Sequence, residues 1–193
     1  MKRDLRRIVP LTSSFLSCEK DTDTILRKLF IENKPYSDIL KRLLIINTKD
    51  CLDDLENPKY IEKINSMSIA KMKQEGYFKL EPKLKMQEHE DIKSYIIISF
   101  DNFTPNYTNP EFRDCTVSFN IICHTDYWDI GNYRLRPVKI LGYIDGILNN
   151  EKLSGIGTLN FIGANELILD ENLSGYTLMY RAVHGSDDKI EGE

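Results

Sequence analysis

The strongest periodic signal in the chain lies between Tyr133 and Asn150, YRLRPVKILGYIDGILNN. Apolar residues recur there at Leu135, Val138, Ile140, Leu141, Ile144, Ile147 and Leu148, in steps of three and four that put most of them on one stripe of a helix. Pro137 is tolerable only in a first turn, so the regular helix is expected from Arg136, with Asn132 as its N-cap. Asn149 and Asn150 supply an end, because asparagine tolerates the left-handed conformation that closes helices. Gly142 and Gly146 share a face, and each costs about 1 kcal/mol against alanine inside a helix. Close packing on a sheet explains them most simply; close approach to another subunit is the alternative.

Period-two patterns flank this helix. Ser94–Asp101 (SYIIISFD) reads as a strand, and Cys115–His124 (CTVSFNIICH) alternates Val117, Phe119 and Ile121 against Thr116, Ser118 and Asn120. The two are expected to pair antiparallel across a Pro/Asn-rich loop, Asn102–Arg113. After the helix, Gly155–Gly163 (GIGTLNFIG) predicts a third strand with Leu159 and Phe161 on one face, continued over Asn165–Leu169 after a bulge at Gly163. Asn172–Gly175 predicts a turn and Tyr176–Val183 a fourth strand. The order ββαββ implies an α+β fold: a mostly antiparallel four-stranded sheet with the central helix and N-terminal helices packed on one face, plus extended arms and loops.

The first half is less regular. Thr22 or Asp23 can cap a helix to about Asn33, with Ile25, Leu26, Leu29 and Phe30 as its stripe. Pro35 breaks it, and Ser37 or Asp38 caps a second helix, Asp38–Ile46. Between Asn47 and Glu90 the pattern is weak and few residues read as core. Short helices are expected near Pro58–Asn65 and Ile69–Gln74, with Gly76 as a stop. Tyr77–Met86 alternates around Pro82, which confines it to a sheet edge or an extended arm. The division expected is an N-terminal arm (1–20), one α+β domain (21–185, helical or irregular to 90 and sheet-plus-helix beyond), and an acidic tail (186–193).

Composition changes this picture little. The chain has 193 residues, 41% hydrophobic and 29% charged, enough to bury a core without disulfide or metal staples. The net charge of −4 argues against a general nucleic-acid binder. No apolar run approaches the roughly 20 residues of a membrane span. The N-terminus is basic through Lys2, Arg3, Arg6 and Arg7 but lacks the apolar stretch of a signal peptide. It reads as a solvated tail or as an arm lying on a neighbouring chain. A cytoplasmic setting with reduced thiols is expected for Cys18, Cys51, Cys115 and Cys123, none of which forms a C-x-x-C pair. The sequons at Asn102, Asn106 and Asn172 are then chance matches.

Candidate chemistry is sparse. His124, Asp126 and Asp129 in HTDYWD have the composition of a metal or acid–base cluster, but the spacing fits no hydrolytic metal motif. A polar turn that caps the chain as it leaves a strand is the favoured reading. His184 with Asp187 and Asp188 is weighed the same way. Cys123 and His124 are neighbours on a strand and point to opposite faces, so they cannot act as a nucleophile–base pair. Gly155-Ile156-Gly157 is too short to cradle a phosphate. Trp128 with Tyr127, Tyr133 and Phe112 has the makings of a stacking platform, yet core or subunit-contact aromatics suit the net negative charge better. No catalytic, cofactor-binding or metal residue is assigned, no cofactor is expected, and the protein is not expected to be an enzyme.

The second half, roughly Ser94 to Asp188, resembles the tail terminator proteins of tailed bacteriophages. The residues that carry the likeness are YIIISF, CTVSFNIICH, a helix that starts with Arg134-Leu135-Arg136 and continues KILGYIDGILNN, then GIGTLNF and the closing GYTLMYRAVHGSDD. The resemblance implies a structural virion protein that forms a homohexameric ring, terminates the tail tube and joins it to neck or head-completion proteins. DNA would pass through the lumen without sequence-specific binding, and no membrane would be involved. The N-terminal 90 residues exceed those of the small family members, so another head–tail connector or neck protein is the alternative. A metal-dependent cytoplasmic enzyme using His124, Asp126 and Asp129 is a more distant one. Under the ring reading, contacts are expected at Lys2 and Arg3 of the arm, at Asn102, Phe103, Asn106, Tyr107, Phe112 and Arg113 of the loop, and at Arg134 and Arg136, which would reach out to a partner's acidic surface. An exposed edge strand would be covered by another chain.

Overall fold

The computed structural model describes residues 18–80, 93–107, 113–153 and 157–184. The expected arm with Lys2 and Arg3, the region around Pro82, Phe112 and the acidic tail lie outside the described residues.

The first helix, α1 (Cys18–Arg27), continues through one π-helical turn, Lys28–Glu32. Ile25, Leu26, Leu29 and Phe30 are buried along it, as the periodicity predicts. Thr22 and Asp23, the expected caps, lie inside the helix instead, and the Thr22 hydroxyl donates back to the Cys18 carbonyl at 2.7 Å. A hydroxyl in that position satisfies itself on the helix's own backbone and marks no start. After Pro35 comes α2 (Tyr36–Ile45), then α3 (Pro58–Asn65) and α4 (Ile69–Gln74). The last two have the expected bounds. Asn57 caps α3 and Ser68 caps α4 through bonds to Lys59 N–H and Lys71 N–H. Gly76, at φ +79°, closes α4 with paired bonds from Gly76 N–H to Lys73 and from Tyr77 N–H to Met72. That double closure suits the left-handed residue that glycine accepts without strain.

The main sheet has five strands rather than four, in the order β1-β2-β3-β7-β6. The strand β1 (Phe78–Lys79) pairs parallel with β2 (Ser94–Pro105), at the edge position expected for this segment. Strand β3 (Arg113–His124) pairs antiparallel with β2 and with β7 (Leu173–His184), and β7 pairs antiparallel with β6 (Asn160–Ile168). The expected third strand is divided: β5 (Gly157–Thr158) turns away to pair with β4 (Lys152–Leu153), and β6 follows with the predicted irregularity between Phe161 and Gly163. The helix α5 (Arg136–Leu148) has the predicted bounds, but its N-cap is Leu135, which gives no side-chain bond. Asn132 sits in the preceding turn at φ +51°, and Asn150 takes the left-handed conformation beyond the C-terminus.

One face of the sheet carries the core. Ile96 and Ile98 of β2, Val117, Phe119 and Ile121 of β3, and Leu178 and Tyr180 of β7 pack with Ile140, Ile144 and Leu148 of α5 and with the stripes of α1 and α2. Cys51, Met67, Met72, Tyr77 and Phe78 join them, so the middle region contributes more core than its weak periodicity predicts. Short elements bury single residues, and one residue has no period. On the opposite face Tyr95, Ile97, Ile122 and Leu173 form a smaller cluster.

Gly142 and Gly146 overturn an expectation. They lie on the solvent side of α5, where an added Cβ would meet nothing within 4 Å. The close contact with the sheet belongs to Ile140, Ile144, Ile147 and Leu148 instead.

Candidate functional site

The residues between β3 and α5 build a turn. His124 caps a single 3-10 turn, Thr125–Tyr127, by accepting from Asp126 N–H at 3.3 Å on Nδ1; the Asp126 carboxylate lies 3.6 Å from the same nitrogen. Asp129 accepts from Gly131 N–H at 2.8 Å. Gly131, Asn132 and Tyr133 follow with positive φ in succession. His124 and Asp126 are thus brought together while Asp129 is held in its own turn, the capping role favoured for this stretch. Among the described residues no group of three His, Cys, Asp or Glu side chains is arranged to hold a metal ion. Trp128 does not join Tyr133 in a platform. It stacks on Tyr176 with centroids 6.3 Å apart and donates its indole N–H to the Ser174 carbonyl, while Tyr133 is fully exposed.

Arg136, expected to reach outward, is fully buried. Its Nε donates to Tyr127 O at 2.9 Å, Nη1 to Leu43 O and Ile46 O at 2.6 and 2.9 Å, and Nη2 to Thr48 O at 2.7 Å. The carbonyls at the end of α2 have no partner within the helix, and the helix dipole makes that end negative. A planar guanidinium with several diverging donors answers both needs, so the tertiary fold turns this arginine inward. Arg134 stays nearer the surface and is bound within the chain to Asp53 and to the Gly131 carbonyl. Arg42 has a related task. Buried, it donates to the carbonyls of Cys51, Asp54 and Leu55 and lies 4.8 Å from the Tyr60 ring centroid, which fixes the loop after α2.

The three buried cysteines are poor nucleophiles, because burial disfavours their thiolates. Burial pushes the Cys115 thiol up to about 12 and the Cys123 thiol up to about 11, the latter against a hydrogen bond with Ser94. Cys51 is raised by burial too.

At the other end of the sheet, the expected loop Asn102–Arg113 proves to be strand at both ends, since β2 runs to Pro105 and β3 begins at Arg113. Asn102 (φ +52°) is exposed at a bulge and bonds Asp101 at 2.8 Å. Phe103 packs against the core, and Asn106 donates to Asp114 at 2.8 Å. Asp114 also pairs with Arg181, whose guanidinium is the main reason its carboxyl sits below the usual range. Arg113 pairs with His184 in the sheet register. Tyr107 is 99% exposed. Of the expected contact residues, Asn102 and Tyr107 therefore present themselves to solvent, and they lie at the sheet end opposite Arg134.

Strand β6 carries the apolar surface that the expected strand pattern did not single out. It is the last strand of the sheet, and its outer backbone edge faces away from β7. Phe161, Ile162, Ile168 and Leu169 are 50%, 52%, 76% and 41% exposed along it. Of the pair expected on one face, Leu159 is buried and Phe161 is half exposed, touching Tyr180 edge-on at 6.3 Å. The sequence does hold a signal: Phe161-Ile162 and Ile168-Leu169 are apolar neighbours that cannot all face one core in a period-two strand.

Among the described residues no helix is long and apolar enough to cross a membrane. A protein-family model described as YomW matches residues 37–182. Neither the curated proteins nor the solved structures compared with the chain give a match.

Proposed function

The chain belongs to the YomW family, a Bacillus phage-derived family, and from this premise we propose that it is a structural virion protein of a tailed phage. In this reading it forms a ring that closes the end of the tail tube and faces the neck, and it acts by binding, without a reaction. The observation that carries it is the β6 edge: nine residues of strand whose outer edge lies away from the sheet, flanked by four exposed apolar side chains. Such an edge is a template for another chain, and soluble monomers usually blunt it with charge, proline or a cover. Here the only charged side chain on the strand is Glu166, and among the described residues the bulge at Phe161–Gly163 is its only guard. Exposed Tyr107 and Asn102 at one end of the sheet and the fully exposed Tyr133 at the other offer contacts above and below such a ring. A repeated contact between unlike surfaces closes into a ring when its rotation permits.

The test is to locate the chain in the particle and measure its mass in solution. Antibody against it should label the head-proximal end of the tail, and light scattering should give a closed oligomer. Ile162→Lys with Ile168→Lys should return that oligomer to monomers without unfolding them. Absence of the chain from purified virions would overturn the reading.

A further inference from the structure

Seven of the nine residues of β6 are exposed, and among the described residues β7 is its only neighbour in the sheet. The pairing with β7 fixes the faces of the strand. Ala164, Glu166 and Ile168 oppose Leu178, Tyr176 and Ser174, on the side of the sheet where Leu178 and Tyr180 enter the core. Asn165 and Leu167 oppose Thr177 and Gly175 on the other side. Phe161 pairs with Tyr180 and Gly163 with Met179, so Ile162 is the extra residue of the bulge.

The exposed apolar residues are placed symmetrically about Asn165. Phe161-Ile162 precede it and Ile168-Leu169 follow it at equal distances along the chain. A two-fold contact requires that kind of self-complementarity: where one residue meets a second, the second meets the first. Antiparallel pairing of two β6 edges about Asn165 sets Phe161 opposite Leu169, Ile162 opposite Ile168, and Ala164 opposite Glu166. Each exposed apolar side chain then meets another, and each Glu166 lies across from a methyl group. Moving the axis by one residue loses this match. About Glu166, the two carboxylates stand directly opposite, which is destabilising for like charges. About Ala164, Ile162 faces Glu166 and Ile168 faces Asn160.

We propose that β6 pairs antiparallel with β6 of a second copy, about a two-fold axis at Asn165. This names the mate of the edge on which the ring reading stands, and it rests on that reading for copies meeting there. A two-fold contact closes on itself, so a ring that contains it holds an even number of copies and is completed by a second contact elsewhere. Nine residues a side fall short of the roughly 20–30 of a stable interface, so the pair alone dissociates on dilution.

Cross-linking of the full chain tests the register. Asn165→Cys brings each new thiol opposite its own copy. Oxidised glutathione should then join two chains, with one disulfide formed between them and two reduced glutathiones released. Ala164→Cys has Glu166 opposite, so it should cross-link to itself roughly tenfold more slowly. Mixed with Glu166→Cys chains, it should form the mixed dimer. The wild type, with its own four cysteines, sets the background. Sedimentation of the wild type should show a dimer that grows with concentration. If Asn165→Cys cross-links no faster than the wild type, the two-fold contact fails, whatever oligomer the wild type forms. A wild-type chain that stays monomeric at every concentration also overturns it, and leaves the edge to a strand of a different protein. If Asn165→Cys cross-links but the chain is absent from purified virions, the two-fold contact stands and the virion reading falls.

Discussion

A buried guanidinium bound to four backbone carbonyls joins three separate parts of this fold. Arg136 ties the start of α5, the 3-10 turn and the end of α2 through four bonds. Arg136→Met should cost about 3 kcal/mol or more in denaturant unfolding, because it strands several buried acceptors at once. Arg136→Lys should recover part of this, since it keeps the charge but loses the fork. If Arg136→Met is neutral, this account is wrong. Gly175 is a second critical residue: a Cβ there would lie 1.8 Å from the Ile121 carbonyl oxygen, across the β3–β7 pair. Gly175→Ala should destabilise by about 1–3 kcal/mol or more, read as a lowered midpoint of unfolding. Asp114 gives a pH dependence. Its native carboxyl is depressed by Arg181 and Asn106, so its contribution is complete above the ordinary carboxylate value of about 3.9 and fades as pH falls through the depressed native value. The stability gap between wild type and Asp114→Asn should hold from neutral pH to about pH 4 and close below it. A gap that widens on acidification would refute the assignment.

Helix α5 shows which of its properties are local and which are tertiary. Its bounds could be read from the sequence because proline, asparagine and a 3.6-residue rhythm act locally. Its orientation could not, because a stripe of seven apolar residues is wide enough to be rotated. The fold chose Ile140, Ile144, Ile147 and Leu148 and left Leu135 and Val138 about 40% exposed. The glycines consequently face solvent, where they cost helix stability and gain nothing within the chain. Gly142→Ala and Gly146→Ala should each stabilise the isolated chain by about 0.5–1 kcal/mol, measured as a raised unfolding midpoint. A loss of stability would mean that the space is needed within the fold. Strand β6 shows the complementary problem. Its existence and bulge followed from local pattern, but its edge position depends on β7 being its only neighbour in the sheet.

At the scale of the molecule, the exposed apolar residues of β6 and the exposed Asn102 and Tyr107 at the end of β2 belong to different strands of the sheet, an arrangement suited to unlike contacts between copies. If assembly occurs, the unfolding temperature should rise with protein concentration, because a bound state is stabilised by mass action. A midpoint independent of concentration over a hundredfold range would count against it. The concavity that Lys59, Lys63 and Lys93 line beside α2 had no legible sequence signal: Lys59 and Lys63 belong to α3 and Lys93 precedes β2, and only folding brings them together. The phage-tail resemblance rested on strand and helix order, and the YomW match extends across residues 37–182. By itself the sequence determined where α3, α4 and α5 lie, that the long strands exist though not where β2 ends or β7 begins, and that His124 and its neighbours make a turn, since these depend on contacts a few residues apart. Tertiary structure alone decided that Arg136 points inward, that Gly142 and Gly146 point outward, that β1 makes a fifth strand, and that Phe161 and Ile168 stand at a free edge. Each of those outcomes depends on which distant element arrives to cover a side chain, and no local period encodes that.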